Sequence, residues 1–427
     1  MNREIFRIAL PAIIANITIP LLGLADTAIA GHLGGASFIG AMAVATMMFN
    51  LIYWNFGFLR MGTSGLTAQC YGADDREGSA RILVQSSATA VGIGLAIMIF
   101  QTPLLRLSMW VISPSEAVTS LAVMYYRVVV WGAVPTLLMM PLKGWLLGMQ
   151  DSKGAMMVSI VVNVLNIVVS LVAAFGMGLG FWGVAVGTVV AQWLGLAYSL
   201  LLVARGYSWL AKATDWHKAL RFEGSRKLFA LNGSIFVRSF LLMLVNLAVV
   251  AIGARSGDLI LAVNAIIQQL NTLYAYFTDG IAFAGEALVG KYVGRGDRPT
   301  LQLTVKRLFL WSGVLTIAFT LFYAFPQFIM RLLTDDSAVL AAAMDYRWWC
   351  ALLPVAGMAA FTWDGIFIGM AWGKGMLASV AVAGVLFAVL YFALPVSMGN
   401  HRLWLAFVLY LFARGAVQTW LYFRKSD

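Results

Sequence analysis

The apolar stretch from residue 12 to residue 35 carries a single carboxylate, Asp26, near its far end. An ionised side chain costs a few kcal/mol to place in hydrocarbon, so such a residue usually faces a cavity or a partner and has a function. A lone carboxylate in a partly dry site favours its neutral form, which makes reversible proton binding the chemistry that it offers. The alternative is that Asp26 lies at the membrane interface and only caps the next helix.

Two later apolar stretches carry polar side chains at helical spacing. Asn163, Asn166 and Ser170 follow the spacing i, i+3, i+7 and therefore share one face of a helix, and Thr188 lies in the next stretch. These groups either form a polar site with the carboxylate of the first stretch or hold neighbouring helices together, as polar groups in membranes often do.

The elements that must position these residues are membrane-spanning helices. Hydrophobic residues make up 61% of the 427 residues and charged residues 11%, against roughly 45–50% and about 25% in soluble proteins. Apolar runs of about 20 residues are long enough to cross a bilayer. We predict an all-α polytopic membrane protein with twelve transmembrane helices near 5–31, 36–70, 79–102, 117–149, 154–176, 180–205, 226–253, 258–291, 303–325, 338–370, 375–396 and 401–423.

The net charge of +11 reflects membrane topology and does not indicate a nucleic-acid partner. Most Lys and Arg residues lie in alternate loops (71–81, 150–154, 205–227, 291–307 and 371–374) and at the termini. By the positive-inside rule, both termini are expected to be cytoplasmic, in a multi-pass protein of the inner cell membrane. The opposite loops contain Arg106, Arg255, Arg331 and Arg402.

The two halves of the chain repeat each other at an offset of 220 to 222 residues. Gly144 and Gly148 correspond to Gly365 and Gly369, and the turn 71–75 corresponds to 293–297. Each half has six spans, so the repeats enter the membrane in the same sense and are related by a pseudo-two-fold axis along the membrane normal. We predict an N-terminal six-helix lobe (1–204), a cytoplasmic linker (205–225) and a C-terminal six-helix lobe (226–427).

The charged residues of the second half do not repeat the carboxylate of the first, because Asp26 corresponds to Ala248. Asp279 and Glu286 share one helix face and either bind a cationic substrate or neutralise Arg238 in a static pair. Lys143 and Asp364 occupy equivalent positions of the repeat. Their opposite charges suggest an ion pair between the lobes. Counted together, four intramembrane acids against two bases favour a cationic or neutral substrate.

The sequence resembles the MATE (multidrug and toxic compound extrusion) transporters and, within them, the DinF-like subfamily. The resemblance covers essentially the whole chain and is strongest in four segments: IPLLGLADTAIAGHLGG, LNGSIFVRSF, YFTDGIAFAGEALVGKYVG and TWDGIFIGM. It implies a secondary active antiporter that exports amphipathic or cationic organic compounds by alternating access. It also implies that Asp26 is the coupling carboxylate and that Asn166 and Thr188 accompany it, with Tyr125 at a matching position of the same network.

One position departs from the family pattern, since Ser170 stands where a second Asp is common. With one carboxylate, the site suits a proton better than Na⁺, although Na⁺ at Asp26, Asn166 and Thr188 remains the alternative. Protonation is expected to let the first helix bend, because Pro11 and Pro20 already interrupt its hydrogen bonds.

The expected ligands are therefore H⁺ (or Na⁺) as coupling ion, a small organic substrate and the lipid bilayer, in a monomer without another cofactor. Cys70 and Cys350 form no motif, and the three histidines are far apart, so neither a disulfide framework nor a metalloenzyme is indicated. No nucleophile elbow or phosphate-binding loop is present, and we do not expect an enzyme. A flippase for lipids or lipid-linked precursors is the competing function.

Overall fold

The structure, a computed structural model, describes residues 1–325, 327–333 and 336–426. These residues form helices and connecting turns and contain no strand. Twelve helices are long, and they are called helices 1 to 12. In chain order they are Asn2–Gly34, Ser37–Gly72, Arg76–Ile99, Glu116–Gly148, Ser152–Gly176, Gly180–Gly206, Arg226–Arg255, Asp258–Arg295, Arg298–Ala324, Arg347–Gly369, Gly373–Ala393 and His401–Ser426.

Short helices lie between the long ones or extend them. These are Gln101–Ile112, Leu210–Ala213, Trp216–Leu220, Gln327–Leu333 and Ser337–Asp345. Helices 2 and 4 contain 3₁₀ turns at Trp54–Gly57 and Val130–Gly132, and a third lies at Val396–Met398. Helix 5 ends in a π-helical turn, Val172–Gly176.

The predicted all-α membrane fold is confirmed. Among the described residues, eleven of the long helices are long and apolar enough to cross a membrane, and helix 8 is the remaining long one. The bounds agree with the predicted spans to within a few residues, except that the span predicted at 338–370 is interrupted at Tyr346. Pro11 and Pro20 both lie inside the uninterrupted helix 1.

Contacts divide the chain into two compact units. The first, here called the N-terminal unit, is Leu10–Phe229; the second, the C-terminal unit, is Met1–Ala9 together with the chain from Ala230 onward. The first nine residues contact the C-terminal unit, where Lys291 and Tyr292 donate hydrogen bonds to the Glu4 carboxylate.

The duplication seen in the sequence recurs in the packing within each unit. A Cβ atom at Gly144 would overlap the Arg60 carbonyl oxygen of helix 2, and one at Gly365 would overlap the Ala282 carbonyl oxygen of helix 8. The contacted residues are themselves 222 positions apart, as the repeat requires. In both units, therefore, glycine allows the fourth helix to approach the second closely, as small residues do in membrane helix pairs.

The same symmetry governs how the third helix of each unit begins. Asp75 accepts a hydrogen bond from the Gly78 backbone N–H at 2.8 Å, and Asp297 accepts one from Thr300 at 3.1 Å. Each carboxylate satisfies a backbone donor at the first turn of its helix, the usual role of an N-cap. Hydrogen bonds from Thr300 also hold the pKa of the Asp297 carboxyl below its ordinary value.

The predicted linker is folded against the end of the N-terminal unit. Its backbone accepts a hydrogen bond at Glu223 from the Gln85 amide at 3.0 Å. Tyr207 and Trp209 pack on Trp145, with ring centroids 4.8 and 6.3 Å from it.

Candidate functional site

A buried polar network connects helices 4, 5 and 6 of the N-terminal unit. The Thr188 hydroxyl lies 3.3 Å from the Tyr125 hydroxyl and accepts a hydrogen bond from the Asn166 amide at 3.4 Å. The Asn166 amide oxygen in turn accepts one from Ser170 at 3.3 Å. All four side chains are at most 8% exposed, so the structure brings these predicted site residues together away from solvent.

The close approach of helices 5 and 6 makes this network possible. A Cβ atom at Gly187 would lie 2.6 Å from the Cα and backbone nitrogen of Ser170, so only glycine fits there. The Val184 carbonyl, one turn earlier on helix 6, accepts a hydrogen bond from Thr188 at 3.0 Å and lies 3.4 Å from the Ser170 hydroxyl. Because Thr188 directs its hydroxyl hydrogen at this carbonyl, Tyr125 is the donor in its contact with Thr188.

Asp26 lies beside the network without joining it by a hydrogen bond. Its carboxylate is close enough to the Tyr125 hydroxyl for an electrostatic interaction, while its Oδ1 atom is buried and has no hydrogen-bond partner among the described residues. Asn166 and Thr188, which the sequence analysis expects to accompany Asp26, form a hydrogen bond with each other.

Asn163 connects helix 5 to helix 1. Its amide donates a 2.7 Å hydrogen bond to the Thr18 hydroxyl, and Thr18 donates one to the Ala15 carbonyl of its own helix at 2.7 Å. Asn163 therefore faces helix 1, whereas Asn166 and Ser170, on the same helix, face the buried network.

A second buried cluster lies in the C-terminal unit and is centred on Asp364 of helix 10. This carboxylate accepts hydrogen bonds from Arg238 of helix 7, from Arg414 of helix 12 at 2.8 Å and from Gln418, also of helix 12, at 2.9 Å. Arg238 is 5% exposed, Arg414 3% and Gln418 0%. The cluster thus contains two guanidinium groups and one carboxylate.

This cluster corrects one expectation and bears on a second. The described partner of Arg238 is Asp364, and not Asp279 or Glu286 as considered from the sequence. The carboxylate proposed to pair with Lys143 is already bound by two arginines of its own unit.

The remaining predicted charges lie in different surroundings. Lys143 is near a second cation, Arg60 of helix 2. In helix 8, Glu286 is 1% exposed and Asp279 is half-buried close to Tyr276.

The sequence analysis overlooked Arg60, Arg414 and Gln418. Arg414 and Gln418 are spaced i, i+4 inside an otherwise apolar helix, the same signal that singled out the other polar residues. With Arg60 and Arg414 added, the tally made from the sequence becomes four bases against four acids, so it no longer favours a cationic or neutral substrate. Among the described residues, no group of three or more His, Cys, Asp or Glu side chains is arranged to hold a metal ion.

The chain as a whole is similar to known transporters. The family model described as MatE matches residues 11–172 and 234–393, once in each half of the chain. DNA damage-inducible protein F of Escherichia coli is 37% identical over 420 residues, which are 97% of this chain and 90% of that protein. The probable multidrug resistance protein NorM of Thermotoga maritima is 22% identical over 354 residues, or 80% of this chain and 74% of that protein.

Solved structures share the fold at low sequence identity. The crystal structure of MATE in the bent conformation has a TM-score of 0.85 at 20% identity and covers 100% of this chain and 95% of that chain. The outward-facing conformation of a multidrug resistance MATE family transporter of the MOP superfamily also has a TM-score of 0.85, at 19% identity, with coverage of 99% and 95%.

Proposed function

Because the chain belongs to the MATE family of membrane transporters, and is thus a multi-pass transporter and not an enzyme, we propose that it is a proton-coupled antiporter. It exports amphipathic or cationic organic compounds by alternating access, and Asp26 is its proton site. The observation that carries the proposal is the buried Asp26 Oδ1 atom without a hydrogen-bond partner.

The surroundings of Asp26 favour exchange of a proton. The Asp26 side chain is half-buried, with its Oδ1 atom away from the surface. A carboxylate oxygen removed from water favours the ionised form when donors or cations compensate it, and the described residues provide no such donor to Oδ1. Protonation removes the charge without requiring a new partner. The proton can therefore enter and leave without the disruption of an ion pair.

The same geometry makes Na⁺ the weaker alternative. A hard cation binds through several oxygen ligands, and the nearby oxygens are engaged with one another. The Asn166 amide oxygen accepts from Ser170, and the Thr188 hydroxyl accepts from Asn166 and donates to the Val184 carbonyl. Binding Na⁺ beside Asp26 would require these hydrogen bonds to rearrange around a single carboxylate.

Transport then depends on a difference in proton affinity between two conformations. Protonation of Asp26 from the outer side changes the charge next to Tyr125, and helix 1 is the element that responds, since Pro11 and Pro20 leave gaps in its hydrogen bonding. Proton and substrate shift the equilibrium only by their different affinities for the two states. In this mechanism they compete for one binding cavity, directly or through its shape.

The proposal includes a location and a set of partners. The transporter lies in the inner cell membrane as a monomer with both termini in the cytoplasm, as the distribution of Lys and Arg favours. Export of cations is supported by the family and by the uncompensated Asp26, and not by the overall charge count.

The experiment uses purified protein in liposomes that contain a fluorescent organic cation, with either a pH gradient or a Na⁺ gradient imposed. Native protein should export the dye under the pH gradient, and Asp26→Asn should abolish export. Asp74→Asn is the matched control, because Asp74 is exposed in a turn at φ 55°, a conformation that Asn also tolerates. Export driven by Na⁺ alone would support the sodium antiporter, and no export under either gradient would support the lipid flippase.

A further inference from the structure

The C-terminal unit contains a cavity that is the repeat counterpart of the Asp26 site. The cavity has a volume of about 650 Å³ and lies between helices 7 and 11, near the start of helix 12. At the repeat offset of 222 residues, Ala248 corresponds to Asp26. At an offset of 221 residues, Asn163, Asn166 and Ser170 correspond to Gly384, Phe387 and Tyr391. All four of these counterpart residues line the cavity.

Duplication has therefore produced two sites with different chemistry. In the N-terminal unit these positions hold a carboxylate, two amides and a hydroxyl, whereas in the C-terminal unit three are apolar and the fourth is a tyrosine. The rest of the wall is mostly aliphatic or aromatic, including Leu244, Val245 and Phe392. The second site has lost the groups that bind a proton or a small cation and offers room for an apolar chain.

The charged groups of this cavity are two arginines that have no counterpart in the first unit, and Ser256 and Tyr391 add hydroxyl groups to its wall. Arg255 ends helix 7 and Arg402 lies at the start of helix 12, and both line the cavity. At the repeat positions the first unit has Leu33 and Gly180. Since successive spans run in opposite directions, the end of helix 7 and the start of helix 12 lie at the same face of the membrane.

Both arginines are available to an anion. Arg255 is exposed, and neither residue forms an ion pair within the part of the chain that the structure describes. Arg402 is held against the cavity wall, since its guanidinium lies 4.5 Å from the ring centroid of Tyr391 and donates a 3.0 Å hydrogen bond to the Tyr391 hydroxyl. A smaller cavity of about 370 Å³ shares Arg402 and Tyr391 with the larger one.

We propose that this cavity binds an anionic phospholipid. An acyl chain lies along the apolar wall between helices 7 and 11, and the phosphate lies between Arg255 and Arg402 at the membrane face. Basic pockets between transmembrane helices at the cytoplasmic face recognise acidic head groups. Arg255 and Arg402 offer the same charge complementarity at the opposite face, where the predicted topology places their loops. The two positive charges disfavour an organic cation, so this site differs in ligand class from the proton site of the N-terminal unit.

The test counts phospholipids retained by the detergent-purified full chain in native mass spectrometry, with no gradient and no transport step. Phosphatidylglycerol is compared with the zwitterionic phosphatidylcholine. We expect preferential retention of phosphatidylglycerol. Arg255→Gln and Arg402→Gln should each weaken this binding about fivefold, and together about 30-fold.

A second variant blocks the apolar part of the site. The nearest atom to a Cβ at Gly384 is a Val245 methyl at 4.0 Å, so Gly384→Leu adds its side chain to the open cavity without a backbone clash. Gly313→Leu is the matched control, since its nearest atom, the Met358 sulfur, lies at 3.9 Å and Gly313 does not line the cavity. We expect Gly384→Leu to abolish the preferential retention and Gly313→Leu to leave it unchanged.

Three outcomes would overturn the proposal. Equal retention of both lipids would remove the role of the arginines, and retention unaffected by Gly384→Leu would place the lipid elsewhere. Displacement of the lipid by excess inorganic phosphate would identify a site for free anions in place of a lipid site. Because no transport is measured, failure here would leave the Asp26 proposal intact.

Discussion

Removal of the Asp364 carboxylate is predicted to destabilise the C-terminal unit more than removal of either arginine that binds it. Asp364 accepts hydrogen bonds from Arg238, Arg414 and Gln418 in a site where both arginine residues are at most 5% exposed. The variant Asp364→Ala leaves two buried cations together without a counter-charge. The variant Arg414→Met leaves one arginine and one carboxylate, a neutral pair.

The difference between these variants can be estimated from general values. Removing one partner of a buried ion pair costs about 3–5 kcal/mol, because the remaining charge stays uncompensated. Loss of a hydrogen bond to a charged group costs about 1.5–3 kcal/mol. Asp364→Ala should therefore lower the free energy of unfolding by about 3–5 kcal/mol or more, and Arg414→Met by roughly half as much.

Unfolding by sodium dodecyl sulfate in mixed micelles measures these free energies. Asp345→Ala is the matched control, because Asp345 belongs to the same unit and is exposed, and it should change stability little. If Asp364→Ala costs no more than Arg414→Met, the cluster does not hold the helices together as argued here. If Asp364→Asn keeps its stability but loses transport, Asp364 acts in transport and is not a static partner.

Two further predictions concern the buried network of the N-terminal unit. Gly187→Ala should destabilise the protein by about 1–3 kcal/mol, because the new Cβ would lie 2.6 Å from the backbone of Ser170. The control Gly92→Ala places its Cβ with no atom within 4 Å and should be neutral in the same unfolding assay. Equal effects of the two substitutions would contradict the packing argument. Tyr125→Phe removes only the donor to Thr188 and should slow pH-driven dye export while leaving it dependent on Asp26; complete loss of export would instead make the tyrosine hydroxyl essential for coupling.

The helices and the buried network were predictable because their signals are local. Apolar runs of sufficient length specify the spans, and the spacing of Asn166 and Ser170 places them on one face of a helix whatever surrounds it. Apart from the interruption at Tyr346, only displacements of a few residues at the helix ends separate the predicted from the described bounds. The contacts of Thr188 with Tyr125 and Asn166 required only that helices 4, 5 and 6 be neighbours.

The partners of the charged residues were not predictable in the same way. Which carboxylate meets Arg238 depends on how helices 7, 10 and 12 are rotated against each other, and the spacing within one helix does not contain this information. Repeat symmetry suggested that Asp364 would pair with Lys143, but two arginines of the same unit satisfy it. Arg414 could have been found from its place in an apolar helix, whereas its partner could not.

Asp26 and Asp364 show two ways in which one fold accommodates an acidic residue inside a membrane protein. Asp364 is compensated by two cations, so its protonation would sacrifice strong contacts and leave both arginines uncompensated. Asp26 Oδ1 has no described hydrogen-bond partner, so gaining a proton disrupts nothing there. A residue that couples a proton to transport must change its charge at modest cost, and by this criterion Asp26 is the better candidate of the two. The repeat supports the same assignment, because the counterpart of Asp26 is Ala248 and only one lobe keeps a carboxylate at this position.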